Sequence, residues 1–230
     1  MKNKKVVIFG ISAFAEIAYE YFESDSDYEV CAFCVDQEYL TKSFLFNLPV
    51  VSKEDINKYY PPSEYEVFVA ITYINLNYLR SRIVNEMKSL GYKLASYVSS
   101  KAFMWKNVSR GEHCFIFENN TIQPFVKIMN NVIIWSGNHI GHHSIINDNC
   151  FISSHVVISG FCSIGKNSFL GVNSTIANNI QIGENNWIGP SVLISKSTAP
   201  DLIFNHPSPE PSKVSSLRFF KISISKNEME

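Results

Sequence analysis

From Ile116 onward the chain places an aliphatic residue at every sixth position: Ile122, Ile128, Ile134, Ile140, Ile146, Ile152, Ile158, Ile164, Leu170, Ile176, Ile182, Ile188 and Ile194 follow in phase. Four places after most of them stands something small or β-branched, such as Val126, Val132, Ser144, Cys150, Val156, Cys162, Ser168, Ser174, Val192 or Thr198. Asn120, Asn138, Ile180 and Asn186 depart from that rule. A period of six suits neither a helix, which repeats every 3.6 residues, nor a plain strand, which repeats every two. It suits short strands joined by tight corners, three to a coil of about eighteen residues. The aliphatics then form an inward ladder, and neighbouring coils satisfy one another's backbone groups. A chance run of isoleucine in a β-sandwich would have to keep phase from residue 116 to residue 194 without a slip.

The first hundred residues follow a different rhythm. Val6–Phe9 reads as a buried strand, Gly10-Ile11-Ser12 as a turn, and Ala13–Phe22 as a helix. A strand over Glu29–Val35, another over Glu66–Thr72, a helix over Leu76–Leu90 and a strand over Tyr92–Val98 complete the pattern. Strands alternating with helices predict a parallel sheet with helical crossovers. The expected architecture is an α/β Rossmann-like domain over residues 1–98, a left-handed parallel β-helix over 99–200 and a tail over 201–230.

Composition narrows the function classes. Apolar residues make up 46% and charged residues 18% of 230, with a formal charge of −1, so a folded domain with a small-molecule substrate fits better than a nucleic-acid binder. The apolar run after Lys5 is too short for a signal peptide or a membrane span, which leaves a cytoplasmic protein with no membrane insertion as the expectation. Five cysteines, an odd number, read as reduced thiols; Cys31-x-x-Cys34 lies in a strand-like run where alternate side chains diverge, which argues against a thioredoxin-like pair.

At the end of the first strand only one glycine of a dinucleotide-type fingerprint is present, Gly10, with Ser12 and Ala15 where the others would stand. Gly10 permits a tight turn, a helix N-terminus follows that can meet a phosphate, and Asp36 at the tip of the second strand can accept from a ribose or base. Equally, Gly10 could simply make a turn and Asp36 cap a strand.

Ile140-Gly141-His142-His143-Ser144, Ile164-Gly165-Lys166-Asn167-Ser168 and Leu170-Gly171-Val172-Asn173-Ser174 match the repeat of the hexapeptide acyltransferases, and the whole chain resembles the bacterial sugar acyltransferases. That family includes the sialic acid O-acetyltransferases and the nucleotide-linked 4-amino-sugar N-acetyltransferases. The resemblance implies a homotrimer that transfers an acetyl group from acetyl-CoA, with no metal, to a nucleotide-linked sugar during surface-polysaccharide or glycan synthesis. Gly10, Ser12, Asp36 and Asn75 would contact the nucleotide, although the family's glycine near Thr72 is missing here.

Four of the six histidines cluster at His139, His142, His143 and His155, none of them on the inward ladder. His142 occupies the family's catalytic place and suits a base that takes a proton near neutral pH. The family usually follows it with a carboxylate or amide, whereas here His143 follows, and two adjacent imidazoles resist double protonation. One coil on from His142 stands Gly160, which leaves room beside the ring, and His155 shares its column with Gly137 and Asn173 as a substrate-side support. By matching positions Phe151, Gly171, Val172, Gly189 and Pro190 would line the acetyl-CoA groove, with Lys196 and also Lys213 toward its phosphates. His113 and His206 have no comparable context, and the tail's Pro207, Pro209 and Pro211 imply an extended segment.

Other readings share parts of this pattern. An O-acetyltransferase of a free or polymeric sugar would keep all but the nucleotide contacts, and a non-catalytic β-helix would bind no CoA. Some β-helix enzymes are zinc carbonic anhydrases with three histidine ligands, but the acidic and glutamine partners of that site do not accompany these histidines. Cys150 and Cys162 fall on small inward corner positions and read as core, which implies direct transfer without an acyl-cysteine.

Overall fold

The computed structural model describes residues 2–222. The apolar run Lys4–Phe9 forms β1, Ala13–Ser24 forms α1 and Tyr28–Val35 forms β2. A hairpin of Phe44–Leu45 (β3) and Leu48–Ser52 (β4) leads to the short helix Ile56–Tyr59 (α2), then Glu66–Val69 (β5), Tyr78–Ser89 (α3) and Lys93–Leu94 (β6). The sheet runs β3-β4-β2-β1-β5-β6, parallel throughout except at β3–β4. Strand order reverses beside β1, so a crevice opens at the carboxyl ends of β1 and β5, where such sheets receive ligands.

Three expectations shift. Apolar spacing suggests a helix from Leu76, but Asn75, Leu76 and Asn77 all have positive φ (50°, 50° and 67°), so α3 begins only at Tyr78. The strand expected over Glu66–Thr72 ends at Val69, ahead of that left-handed turn. The run Tyr92–Val98 is divided between domains: Lys93–Leu94 pairs with β5, whereas Tyr97–Val98 pairs with Phe115–Ile116 in the next domain.

From Tyr97 to Phe204 the chain winds as a left-handed parallel β-helix of two-residue strands in three sheets of seven, six and five strands. The last of these, Ile203–Phe204, pairs with Trp187–Ile188 and lies beyond residue 200. All fourteen aliphatics of the six-residue ladder point inward and are at most 5% exposed. The asparagines that break the small-residue rule are buried too, because their amides bond corner carbonyls: Asn120 to Phe117 and Trp135, Asn186 to Gly183 and Ala199.

The three faces of this prism differ, and so do its edges. The covered face, which holds Phe115–Ile116, Phe151–Ile152 and Phe169–Leu170, lies against the N-terminal domain. The free face holds His139–Ile140, Val157–Ile158 and Leu193–Ile194, and the polar face Lys127–Ile128 and Gln181–Ile182. Edge one follows the covered face, edge two the free face and edge three the polar face. From His113 to Ser191 each corner turns through one residue with positive φ, among them Asn119, Phe125, Asn131, Gly137, His143, Asn149, His155, Phe161 and Asn167. Asn and His tolerate that region better than most residues, which explains the composition of the corners.

The two domains share one aromatic core. Phe14, Phe22 and Phe68 of the first pack with Phe115, Phe117, Phe151 and Phe169 of the second, with Phe22 to Phe115 at 5.7 Å edge-on. Truncating one such buried ring to alanine costs about 3–5 kcal/mol. Beyond Phe204 a proline-bearing stretch without regular structure leads to one turn of helix, Ser216–Phe219 (α4). Residues 223–230 of the expected tail lie outside the described residues. Among the described residues no helix is long and apolar enough to cross a membrane.

Candidate functional site

Gly10 closes β1 with φ 128°, and a Cβ there would come within 3.0 Å of the Ala70 carbonyl after β5, so glycine is required by both conformation and space. Ser12 caps α1 from an extended conformation, is exposed, and makes no capping bond with its side chain, which leaves the hydroxyl available at the helix N-terminus. Asp36 follows β2 at the same end of the sheet. Its carboxylate is not free, however: it pairs with the Lys53 ammonium, which also contacts Glu86 at 2.7 Å. Asn75 is exposed in the left-handed turn between β5 and α3. Gly10, Ser12, Asp36 and Asn75 therefore all lie past the carboxyl ends of β1, β2 and β5.

His142 and His143 sit on edge two, both exposed. The His142 backbone N–H donates to Gln123 Oε1 at 2.9 Å, and the imidazole lies over Gly160, where a Cβ would meet the ring at 2.8 Å. Nδ1 of His142 faces Nδ1 of His143 at 3.1 Å, so the two rings share one proton between those atoms. His143 is a corner residue with φ 58°, sandwiched between Phe125 (4.6 Å, 27°) and Phe161 (4.8 Å, 16°). Phe161 also meets His142 edge-on at 5.0 Å. The sequence reading did not find these two phenylalanines; the signal was their spacing of eighteen residues on either side of His143.

His155 is elsewhere. It turns edge one with φ 57°, and its ring covers Gly137, so the free face separates it from His142. The groove residues split in the same way: Gly171, Val172, Gly189 and Pro190 belong to edge one, whereas Lys196 belongs to edge two, in the column of His142 and Gly160. Gly171 and Gly189 are also dictated by stacking, because a Cβ on either would press on the next coil at 2.7 and 2.9 Å. Phe151 requires a correction. Expected to line the cofactor groove, it is 2% exposed beneath the N-terminal domain, 5.0 Å from the Tyr73 ring and 5.8 Å from Phe169. Its outward direction on the covered face is what buries it. Lys213 is exposed in the tail.

The remaining chemistry is quiet. Burial pushes the Cys150 thiol up to about 12 and raises that of Cys162, so neither is poised as a thiolate. Among the described residues no group of three or more His, Cys, Asp and Glu side chains is placed to hold a metal ion.

One histidine without sequence context proves structural. His113 is fully buried on edge three, accepts from the Val69 N–H at Nε2 (2.8 Å) and bonds Asn131 Oδ1 through Nδ1 (2.8 Å), which fixes the proton on Nδ1. From Asn131 the amides pass one another's Oδ1 in series through Asn149, Asn167 and Asn185 to Asp201, at 2.8–2.9 Å. Burial, followed by the Arg80 charge, holds the His113 pKa down to about 3 against the Asn131 bond that favours the charged form.

Comparison with known proteins accords with this arrangement. Residues 5–87 match the family model described as the PglD N-terminal domain, and residues 125–160 that of the bacterial transferase hexapeptide (six repeats). No curated protein matches the chain in sequence. Among solved structures, the acetyltransferase domain of PglB from Neisseria gonorrhoeae aligns with TM-score 0.78 at 20% identity, covering 90% of this chain and 100% of that one. PerB from Caulobacter crescentus, in complex with CoA and GDP-perosamine, aligns with TM-score 0.75 at 22% identity, covering 87% and 94%. WeeI from Acinetobacter baumannii aligns with TM-score 0.67 at 18% identity, covering 87% and 96%. A PglD-type N-terminal domain followed by a hexapeptide β-helix is therefore the arrangement that both the family models and the solved structures match in this chain.

Proposed function

We propose that the protein is an acetyl-CoA-dependent acetyltransferase acting on the amino group of a nucleotide-linked amino sugar. The observation that carries this reading is the His142–His143 pair, a solvent-facing imidazole set over a glycine with its Nδ1 engaged by a second imidazole. PglB from N. gonorrhoeae has been solved with acetyl coenzyme A, and PerB from C. crescentus with CoA and GDP-perosamine, which supports the same substrate classes here.

In this reading residues 1–98 hold the nucleotide through Gly10, Ser12, Asp36 and Asn75, and residues 99–200 carry the transfer. When Nδ1–H of His142 donates to Nδ1 of His143, Nε2 of His142 keeps a lone pair. The sugar amine attacks the thioester carbonyl and forms the N–C bond as the carbonyl electrons move to oxygen. Nε2 of His142 takes the amine proton, and the C–S bond then breaks as the carbonyl re-forms and that proton passes to the departing sulfur. A backbone N–H supports the oxyanion between these events. His143, in the place of a carboxylate, accepts from the imidazolium while it is charged.

Assembly completes the site. The free face exposes Phe103, Val157 and Leu193, and edge two adds Trp105, Phe125 and Phe161, more apolar surface than a solitary rod tolerates. We read this as the contact of a homotrimer, in which edge two of one subunit, with His142 and Lys196, meets edge one of the next, with His155, Gly171, Val172, Gly189 and Pro190. That meeting unites the cofactor residues that one subunit keeps apart. The reaction belongs in the cytoplasm, where acetyl-CoA is made and used.

A thiol-release assay with acetyl-CoA across UDP-, GDP- and dTDP-linked amino sugars tests the reading. At least one should release thiol, and His142→Ala should lower turnover roughly 10²–10⁴-fold without unfolding the protein. Near-normal turnover in folded His142→Ala would overturn the assignment of the base. Release with hydroxyl sugars alone would move the activity to O-acetylation.

A further inference from the structure

The turn between β5 and α3 holds three consecutive non-glycine residues, Asn75, Leu76 and Asn77, in the left-handed region. Such conformations persist only where the surroundings over-determine them, and they concentrate at ligand sites. Here the restraint comes from both domains. Asn77 is fully buried and its Nδ2 donates to the Asn167 carbonyl of edge three at 3.0 Å.

Arg80 provides the rest. Its Nη1 donates to the Thr72 carbonyl (2.7 Å) and Asn77 Oδ1 (3.0 Å), holding both ends of the turn. Nε reaches Asn131 Oδ1 (3.0 Å), and Nη2 reaches the carbonyls of Asn149 (2.9 Å) and Asn131 (3.3 Å) on the β-helix. All five guanidinium donors are thus used, the side chain is completely buried, and none of its partners is a carboxylate. A buried cation ordinarily has a counter-ion. This one sits beneath the turn that borders the β1–β5 crevice, and the crevice's lysine neighbour, Lys53, is already neutralised by Asp36 and Glu86.

We propose that Arg80 is a positioning residue for the nucleotide site: it locks the turn from Thr72 to Asn77 against the β-helix and gives the crevice the positive field that a nucleoside diphosphate needs. The proposal rests on the nucleotide-sugar reading and adds the residue that couples that site to the second domain. It differs from a purely structural role in acting on one substrate and not on the other.

The test titrates the full-length protein with UDP, GDP and dTDP, and separately with acetyl-CoA, by calorimetry, in wild type, Arg80→Met and Asn77→Gly. Arg80→Met should weaken the nucleoside diphosphate that wild type binds best by at least about tenfold, with acetyl-CoA affinity within about twofold. Asn77→Gly keeps a left-handed backbone and loses only the amide bonds, so it should give the same split, to a smaller extent, even if Arg80→Met does not fold. Equal loss of both ligands, or no loss of either, in a folded variant overturns the role of Arg80. If wild type binds none of the three nucleotides, the nucleotide-sugar reading fails first, and the two failures are distinguishable.

Discussion

Edges two and three of the β-helix use the same backbone device to opposite ends. His113 and His143 each turn a corner with φ near 55°, yet one is buried and the other exposed. On edge three the corner column is covered by α3, so its side chains must satisfy one another, and His113 with the asparagines makes a one-directional file of hydrogen bonds. On edge two none of the described residues covers the column, and Phe125, His143 and Phe161 stack as an exposed aromatic pile beside His142. The difference lies in what packs on top of the corner, since the coil itself is unchanged. An imidazole with both nitrogens fixed in a dry site is held neutral, whereas one with a free partner and open access can trade protons.

The largest way to break that contrast is to remove the buried member. His113→Leu leaves the Val69 N–H without a partner and takes one of two donors from Asn131 Oδ1, which keeps Arg80 Nε; an orphaned buried group costs about 1–3 kcal/mol. Urea unfolding should show a clear loss of stability, and thiol release per folded molecule should persist.

Acid provides a subtler probe. The folded pKa of His113, about 3, lies below its ordinary 6.5, so the unfolded chain binds the proton more readily. The stability tied to this neutral ring is complete above pH 6.5 and is lost as pH falls toward 3. His113→Asn should flatten the slope of unfolding free energy across that window, and an unchanged slope would show that His113 is not the group responsible.

The smallest expected effect sharpens the exposed member. His143→Asn keeps an acceptor for Nδ1 of His142, whereas His143→Phe extends the stack and removes it. A hydrogen bond of about 1–1.5 kcal/mol corresponds to roughly tenfold in rate, so the phenylalanine variant should turn over about tenfold slower and the asparagine variant within a few-fold of wild type. Equal rates in both variants would mean that His143 is at edge two only for its conformation.

The ladder was legible because burial on it depends on a single repeating position, and Ile116 through Ile194 reach the core wherever the coil goes. Gly10, Ser12 and Asp36 were legible in the same way, from the strand ends that carry them. What the sequence could not show was the contact between elements far apart in the chain. Phe151 obeys the repeat, but its outward direction becomes burial only because the N-terminal domain lies on that face. Arg80 looks like an ordinary surface residue of a helix until edge three arrives beneath it, and the ion pair that occupies Asp36 requires Lys53, brought beside it by the pairing of β2 with β4. His155 and His142 are close in sequence and on different edges in space, because thirteen residues carry the chain two corners onward.

Parallel pairing such as Phe115 with Ile133 and Phe151 with Phe169 makes eighteen residues the indivisible unit of length in this rod. Gain or loss of one whole unit would slide every column by a rung and keep its chemistry aligned. Any other insertion would rotate the edges out of register, so variation in rod length should come in full turns while shorter insertions gather at the corners.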